Sequence, residues 1–150
     1  MRAASALVAL LASFASPALA QEHAFVLTGA GRFAVMADVA SIQPDGDGVR
    51  MRAFQVAEPG FAVGDTPYWG GWSWWRFDCA AKTADRLDFA SVREGGQEGP
   101  AMLDAAPAYD AAPGGDAAEL LGAACSTTVQ SSDVRTLEQA VDVGRTALAQ

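Results

Sequence analysis

The sequence predicts an α+β protein in which an antiparallel sheet of about five or six strands carries short C-terminal helices packed on one face, with one disulfide. Three observations support this. Apolar and polar residues alternate over much of residues 24–93, as in strands with one buried side. Helical spacing of apolar residues is confined to the chain after residue 115. Two cysteines, Cys79 and Cys125, follow a secretory-signal pattern and are expected to pair.

The N-terminus has the pattern of a secretory signal peptide. Arg2 supplies a positive charge, residues 6–14 are apolar, and Ala18-Leu19-Ala20 forms an A-x-A cleavage site. The apolar stretch is too short to span a bilayer, and no cysteine follows the cleavage site to carry a lipid. We therefore expect a signal peptide over residues 1–20, cleavage after Ala20, and a single domain over 21–150. The mature protein would be periplasmic or secreted, without a membrane anchor.

The strands are predicted from alternation and from the turn residues between them. Asp and Gly in residues 44–48 are typical of a hairpin turn, and Pro and Gly in residues 58–67 indicate a loop. In chain order we expect strand material over residues 24–43, a turn over 44–48, a partner strand over 49–56, a loop over 58–67, a tryptophan-rich strand over roughly 72–80, a turn over 82–85 and a strand over 86–93.

Two helices are predicted near the C-terminus, after a polar loop and an irregular Ala/Pro/Gly-rich segment. Asp116 and Glu119 form a capping-box pattern, which predicts a helix over about residues 117–125. Ser132-Asp133 is expected to begin a second helix, whose apolar residues recur at helical spacing. Gly144 is expected to weaken the last turns of this helix.

All four tryptophans lie in one stretch, YWGGWSWWRFDC, over residues 68–79. Side chains alternate along a strand, so Trp75, Phe77 and Cys79 share one face. Because Cys79 has to reach Cys125 on a helix, we expect this face to be the helix-covered core.

The other residues of this stretch form a candidate binding surface: Trp69, Trp72, Trp74 and Arg76. Trp72, Trp74 and Arg76 are expected on the opposite face, which a sheet with helices on one side leaves uncovered, and Trp69 is expected in a loop. Three arrangements stay open. The long loop 94–115 covers the rings, the rings form a homodimer or partner interface, or they stack a sugar or aromatic ligand. In each case Arg76 could add a cation–π contact to Trp74.

Residues suited to catalysis or metal binding are few. The only histidine, His23, is expected in a frayed terminus, so no Ser-His-Asp, Cys-His or zinc arrangement is predicted. Residues 45–48 lack the remaining ligands of a calcium loop. Asp78 and Asp88 are the only carboxylate pair considered for glycoside cleavage, and ordinary surface acids are the expected reading. We expect a protein that is not an enzyme and that uses no metal and no cofactor.

The charge balance is acidic. Of the ten basic residues only Arg2 lies in the signal, and the remaining nine face 18 acidic residues. An acidic surface repels phosphate backbones and anionic lipid, so we expect no nucleic-acid partner.

The order of features along the chain suggests a family. An aromatic-Asp-Cys triplet ends a strand at Phe77-Asp78-Cys79, and basic residues follow it. Further residues carry the same order: Asp38 in an early strand, Lys82 and Arg86 after the triplet, Pro107 and Pro113 before the last elements, and Ala124-Cys125 at the end of an Ala-rich helix. This order resembles the surface-adhesin E-like family of Gram-negative envelope proteins. The resemblance implies an antiparallel sheet with helix on one side, a disulfide, and a non-enzymatic envelope protein, some members acting as adhesins for host proteins.

The sequence therefore predicts an exported, non-catalytic binding or structural protein of the bacterial envelope, with adhesin-like activity as one form of it. The alternative is a small glycan-binding module that uses exposed tryptophans. The expected partner is a protein or a glycan, and a homodimer through the tryptophan face stays open.

Overall fold

The computed structural model describes residues 22–150. The predicted signal peptide, residues 1–20, and its cleavage site after Ala20 lie outside the described residues. Within residues 22–150, no helix combines the length and the apolar character needed to span a bilayer.

The described residues form nine strands and two helices. In chain order these are β1 (Phe25–Ala30), β2 (Ala34–Asp45), β3 (Gly48–Val56), β4 (Ala62–Val63), β5 (Thr66–Asp78), β6 (Thr83–Arg86), β7 (Asp88–Arg93), β8 (Met102–Leu103), β9 (Tyr109–Asp110), α1 (Asp116–Ala124) and α2 (Leu137–Leu148). The main sheet has the order β1-β2-β3-β5-β6-β9 and curls into a half-barrel. β4 and β7 also pair with β5, and β8 pairs with β7. Every pairing is antiparallel.

The predicted fold class is confirmed: an antiparallel sheet, two short C-terminal helices and one disulfide. Cys79, directly after β5, is bonded to Cys125, the C-cap of α1, with 5.6 Å between the two Cα atoms. The predicted core face is confirmed as well. Trp75 and Phe77 are buried in one cluster with Leu120 of α1.

The two helices pack on opposite faces of the sheet. On the α1 face, Met51 and Phe77 pack with the buried residues of α1. On the other side, the α2 face, Phe54, Val56 and Trp72 pack with the buried residues of α2. The expectation that the second face is uncovered is therefore wrong. The amphipathic pattern of a helix identifies its apolar stripe, but it does not determine on which side of the sheet that stripe packs.

Each helix covers only part of its face, because strands rise faster per residue than helices. α1 has nine residues and spans about 14 Å, whereas the 13 residues of β5 span about 43 Å. α1 covers the C-terminal half of β5, around Trp75, and α2 covers the N-terminal half, around Trp72. Two regions are left without a helix: the α2 face beside Trp74, and the α1 face beside Gly71.

The strand boundaries differ from expectation around β5. β5 begins at Thr66, because residues 62–63 fold back on residues 66–67 as a short hairpin. Trp69 therefore lies on a strand, not in a loop. The turn predicted over 82–85 is wrong, because residues 83–86 form the strand β6. The strand predicted over 86–93 is β7, and β6 and β7 pair with successive halves of β5. Between them the N–H of Leu87 donates to the carbonyl of Trp74 at 2.8 Å.

The helix starts also differ. Asp116 makes no side-chain cap, and Gly115 occupies the N-cap of α1. α2 begins at Leu137, where Thr136 and Gln139 form a capping box. Ser132 does not begin the helix because its hydroxyl donates to the carbonyl of Phe25. The neighbouring Val134 carbonyl accepts from the Phe25 N–H at 3.0 Å, so this segment runs beside β1.

The long segment 94–115 is irregular, as expected, apart from the two-residue strands β8 and β9. Asp104 anchors it by accepting from the Ala106 N–H at 3.0 Å and from Arg86 Nε at 2.8 Å. The Ala106 N–H, and then the Arg86 guanidinium, lower the pKa of the Asp104 carboxyl below its ordinary value.

Candidate functional site

Trp72, one of the three rings of the predicted binding surface, is a core residue. It is only 4% exposed. Its ring centroid lies 5.1 Å from that of Phe54 and 5.7 Å from that of Phe25. The covering element is α2, whose Ala140 and Val141 belong to the same cluster. The ring is buried within the chain itself, so Trp72 is not available as a binding platform.

Trp69 is half-buried and packs against the same cluster as Trp72. The loop after β7 also approaches it, since a Cβ at Gly96 would lie 3.4 Å from the Trp69 ring. Trp69 therefore belongs to the edge of the α2 core.

Trp74 is half-buried and lies where α2 does not reach. It is flanked by arginines of β3. The guanidinium carbon of Arg50 lies 5.0 Å from the Trp74 ring centroid and that of Arg52 lies 5.8 Å away. Arg52 is directly opposite Trp74 in the strand register, and Arg50 is the diagonal neighbour. Each cation–π contact of this kind contributes about 0.5–1 kcal/mol at an exposed site and orients the guanidinium.

Arg76 continues the same row but makes a different contact. It lies opposite Arg50 in the register. Its Nε is 3.7 Å from Asp45 Oδ2, and its Nη2 donates to the Asp45 carbonyl at 3.4 Å. In the part of the chain that the structure describes, the arginines stacked on Trp74 are Arg50 and Arg52, so the expected Arg76–Trp74 contact is not formed. We call Arg50, Arg52, Trp74 and Arg76 the arginine–tryptophan surface.

A backbone hydrogen bond and an ion pair hold the arginine–tryptophan surface in position. Asp88 Oδ1 accepts the Trp74 backbone N–H at 2.7 Å. Arg52 Nη2 forms an ion pair with Glu98 Oε1 at 2.8 Å, while its guanidinium lies 4.4 Å from the Trp72 centroid. Arg50 is exposed, and within residues 22–150 no carboxylate lies within 4.0 Å of it. An acidic chain thus presents three arginines on one side of its sheet. The Arg50 guanidinium has the Gln43 amide oxygen as its neighbour, at 3.0 Å from Nε, and no carboxylate among the described residues.

His23 is a structural residue, and its predicted place in a frayed terminus is wrong. Its Nδ1 lies 2.7 Å from Asp38 Oδ2, and its ring stacks on Phe25 at 5.1 Å and near Trp72 at 5.6 Å. Asp38 is fully buried and also accepts the Ala24 N–H at 3.0 Å. The terminal segment is therefore tied to β2, not frayed. The available signal was Asp38 itself, an acid inside an apolar strand that needs a buried partner.

The carboxylates considered for glycoside cleavage serve the backbone. Asp78 Oδ1 accepts the N–H groups of Ala80 and Ala81, at 3.0 and 2.8 Å. Asp88 holds the Trp74 N–H. Across residues 22–150 no group of three or more His, Cys, Asp or Glu side chains is arranged to hold a metal ion.

Comparison of the chain with protein-family models, with curated proteins and with solved structures finds no match. The likeness to surface-adhesin E-like proteins stays a prediction.

Proposed function

We propose that this chain is an exported, non-catalytic binding protein of the bacterial envelope that contacts an acidic region of a protein partner through the arginine–tryptophan surface. The observation that carries the proposal is Trp74 flanked by Arg50 and Arg52 on the part of the sheet that neither helix covers. An adhesin-like activity is one form of this function.

The residue types suit a protein contact. Trp and Arg are over-represented among the residues that dominate binding energy in protein interfaces. The ring of Trp74 orients Arg50 before binding, which lowers the side-chain entropy lost on association. A guanidinium also binds a carboxylate through two parallel hydrogen bonds.

The charge distribution suits an acidic partner in one orientation. Nine basic residues face 18 acidic ones beyond the predicted signal, so most of the surface repels an anion. Such asymmetry steers the encounter toward the arginine-bearing face and gives specificity more than affinity. The glycan alternative would rest on Trp74, because Trp72 and Trp69 pack in the α2 core.

The test uses the oxidised protein over residues 21–150 and a fluorescently labelled poly-glutamate peptide as the acidic probe. Arg50→Ala should weaken binding by about five- to tenfold, a loss of about 1–1.4 kcal/mol. Trp74→Ala should weaken it by a similar factor. Arg93→Ala is the matched control, since Arg93 is exposed on β7 outside this surface and should bind as the wild type does.

Equal binding by the Arg50, Arg93 and wild-type proteins would refute the proposal. Neutral cello- and chito-oligosaccharides form the second arm. If they quench tryptophan emission in a way that depends on Trp74 and not on Arg50, the glycan function replaces the protein-binding one. Sedimentation of the same variants reports whether the surface instead holds two copies together.

A further inference from the structure

The α1 face carries an apolar cavity at the end of the sheet that α1 does not cover. Its volume is about 270 Å³. Four aromatic side chains line it: Phe33, Phe61, Tyr68 and Phe89. We call it the aromatic cavity. It lies on the opposite side of the sheet from the arginine–tryptophan surface.

A glycine shapes the floor of the aromatic cavity. Gly71 lies between Gln55 of β3 and Ser91 of β7 in the register. A Cβ at Gly71 would overlap the ring of Phe89, so only glycine lets this ring lie directly on the strand. Gln55 and Ser91 are among the few polar side chains of an otherwise apolar lining.

A second cavity adjoins the first and is basic. It measures about 360 Å³ and shares Phe33 and Phe61 with the aromatic cavity. These two rings meet edge to face, with centroids 6.4 Å apart. Its charged lining residues are Arg32, Arg145 and Glu58.

Both guanidiniums of the basic cavity are held in place. The guanidinium carbon of Arg32 lies 5.6 Å from the Phe33 ring centroid. Arg145 Nε donates to the carbonyl of Ala57 at 3.4 Å, and Ala57 also lines the aromatic cavity. Among the described residues no carboxylate lies within 4.0 Å of either guanidinium, Glu58 included. This cavity is lined by two cations and one acid, whereas acidic residues outnumber basic ones over the whole chain.

We propose that these two adjoining cavities together bind a small arylalkanoate, a carboxylic acid with one aromatic ring on a short chain. The ring lies among Phe33, Phe61 and Phe89, and the chain passes Phe33 and Phe61, which line both cavities, so that the carboxylate meets Arg32 and Arg145. The size of the aromatic cavity supports a single ring. A cavity of about 150 Å³ holds benzene, and the aromatic cavity, at about 270 Å³, has further room for a short substituent. Charge complementarity supports a carboxylate at the basic end.

The experiment titrates the oxidised protein over residues 21–150 with phenylbutyrate and, separately, with its uncharged analogue phenylbutanol. Binding is followed by nitrogen–proton NMR, which also locates the ligand. Phenylbutyrate should shift the amides of residues 33, 61, 71 and 89, and should bind at least about fivefold more tightly than phenylbutanol. Arg32→Ala, at an exposed position, should remove that difference. Arg93→Ala, the control, should leave the difference in affinity unchanged.

A second variant tests the cavity itself. Ser91→Leu fills space beside Gly71 and should weaken both ligands. The same spectra report whether this variant is folded, and Arg32→Ala keeps the test decisive if it is not. Equal affinity for the charged and uncharged ligands, shifts confined to other parts of the sheet, or unchanged binding by Arg32→Ala would each overturn the proposal. Binding of decanoate without binding of phenylbutyrate would overturn the arylalkanoate class.

Discussion

Two glycines in the helices should respond in opposite directions to the same substitution. Gly144 is buried in α2, and a Cβ there would lie 2.7 Å from Val56 Cγ2 and 2.8 Å from Val56 Cβ. Gly122 is exposed in α1, and a Cβ there would meet nothing within 4 Å. Gly122→Ala therefore reports helix propensity alone, whereas Gly144→Ala reports helix propensity and packing together.

The expected magnitudes follow from these two terms. Replacing an interior helical glycine with alanine gains up to about 1 kcal/mol of helix stability. Ordinary contact begins near 3.4 Å, so α2 must move outward by roughly 0.7 Å to relieve a close-packed interface. Val56 cannot yield easily, because it is fully buried and β-branched. Overpacking of this kind costs about 1–3 kcal/mol. We expect Gly122→Ala to stabilise by about 0.5–1 kcal/mol and Gly144→Ala to destabilise by about 1 kcal/mol.

Chemical denaturation of both variants measures these free energies of unfolding directly. Gly144→Ala should also lower the melting temperature by about 4 °C. In a Val56→Ala background the same substitution should become neutral or stabilising, because the opposing side chain is gone. If Gly144→Ala stabilises the wild-type protein as much as Gly122→Ala does, α2 does not pack on the sheet at this position, and the burial of Trp72 has another cause.

Three further predictions concern the disulfide, the tryptophans and an acid. Thiol titration of the denatured, unreduced protein should find no free thiol, and replacing Cys79 and Cys125 with serine should cost at most about 4 kcal/mol of unfolding free energy. Trp72→Ala should cost about 3–5 kcal/mol in the same denaturation assay, whereas Trp74→Ala should cost about 1–2 kcal/mol, because this ring is only half-buried; equal losses would contradict their different burial. The pKa of Asp104 is lowered in the folded protein, so its stabilising contribution is present above about pH 4 and is lost as the pH falls through the folded-state pKa. Asp104→Asn should therefore flatten the acid side of the stability profile, and an unchanged profile would remove this residue as an anchor.

The sequence predicted one face of β5 correctly because a covalent constraint was readable. Cys79 and Cys125 had to meet, and this placed Trp75 and Phe77 in the core. No such constraint existed for the other face. The apolar stripe of the second helix is recognisable in the sequence, but the sheet face on which it packs is not. Trp72 was therefore expected to be exposed to solvent.

The remaining parts of both sites depend on contacts between distant segments. Phe33, Phe61 and Phe89 lie on separate connections and strands, and no periodicity brings them together. Arg50 lies within the hairpin strand predicted over 49–56, and its place beside Trp74 depends on the strand register. That register is fixed by the whole sheet.

Both edges of the sheet offer little to a strand from another molecule. β1 forms one edge. It is six residues long, contains a bulge between Leu27 and Gly29, and is bonded at Phe25 to the segment before α2. At the other side, β8 and β9 are only two residues each. Short, bulged or covered edges discourage strand addition and aggregation. A partner of this protein is therefore expected to recognise side chains on the faces of the sheet, and the protein should resist forming intermolecular sheets at high concentration.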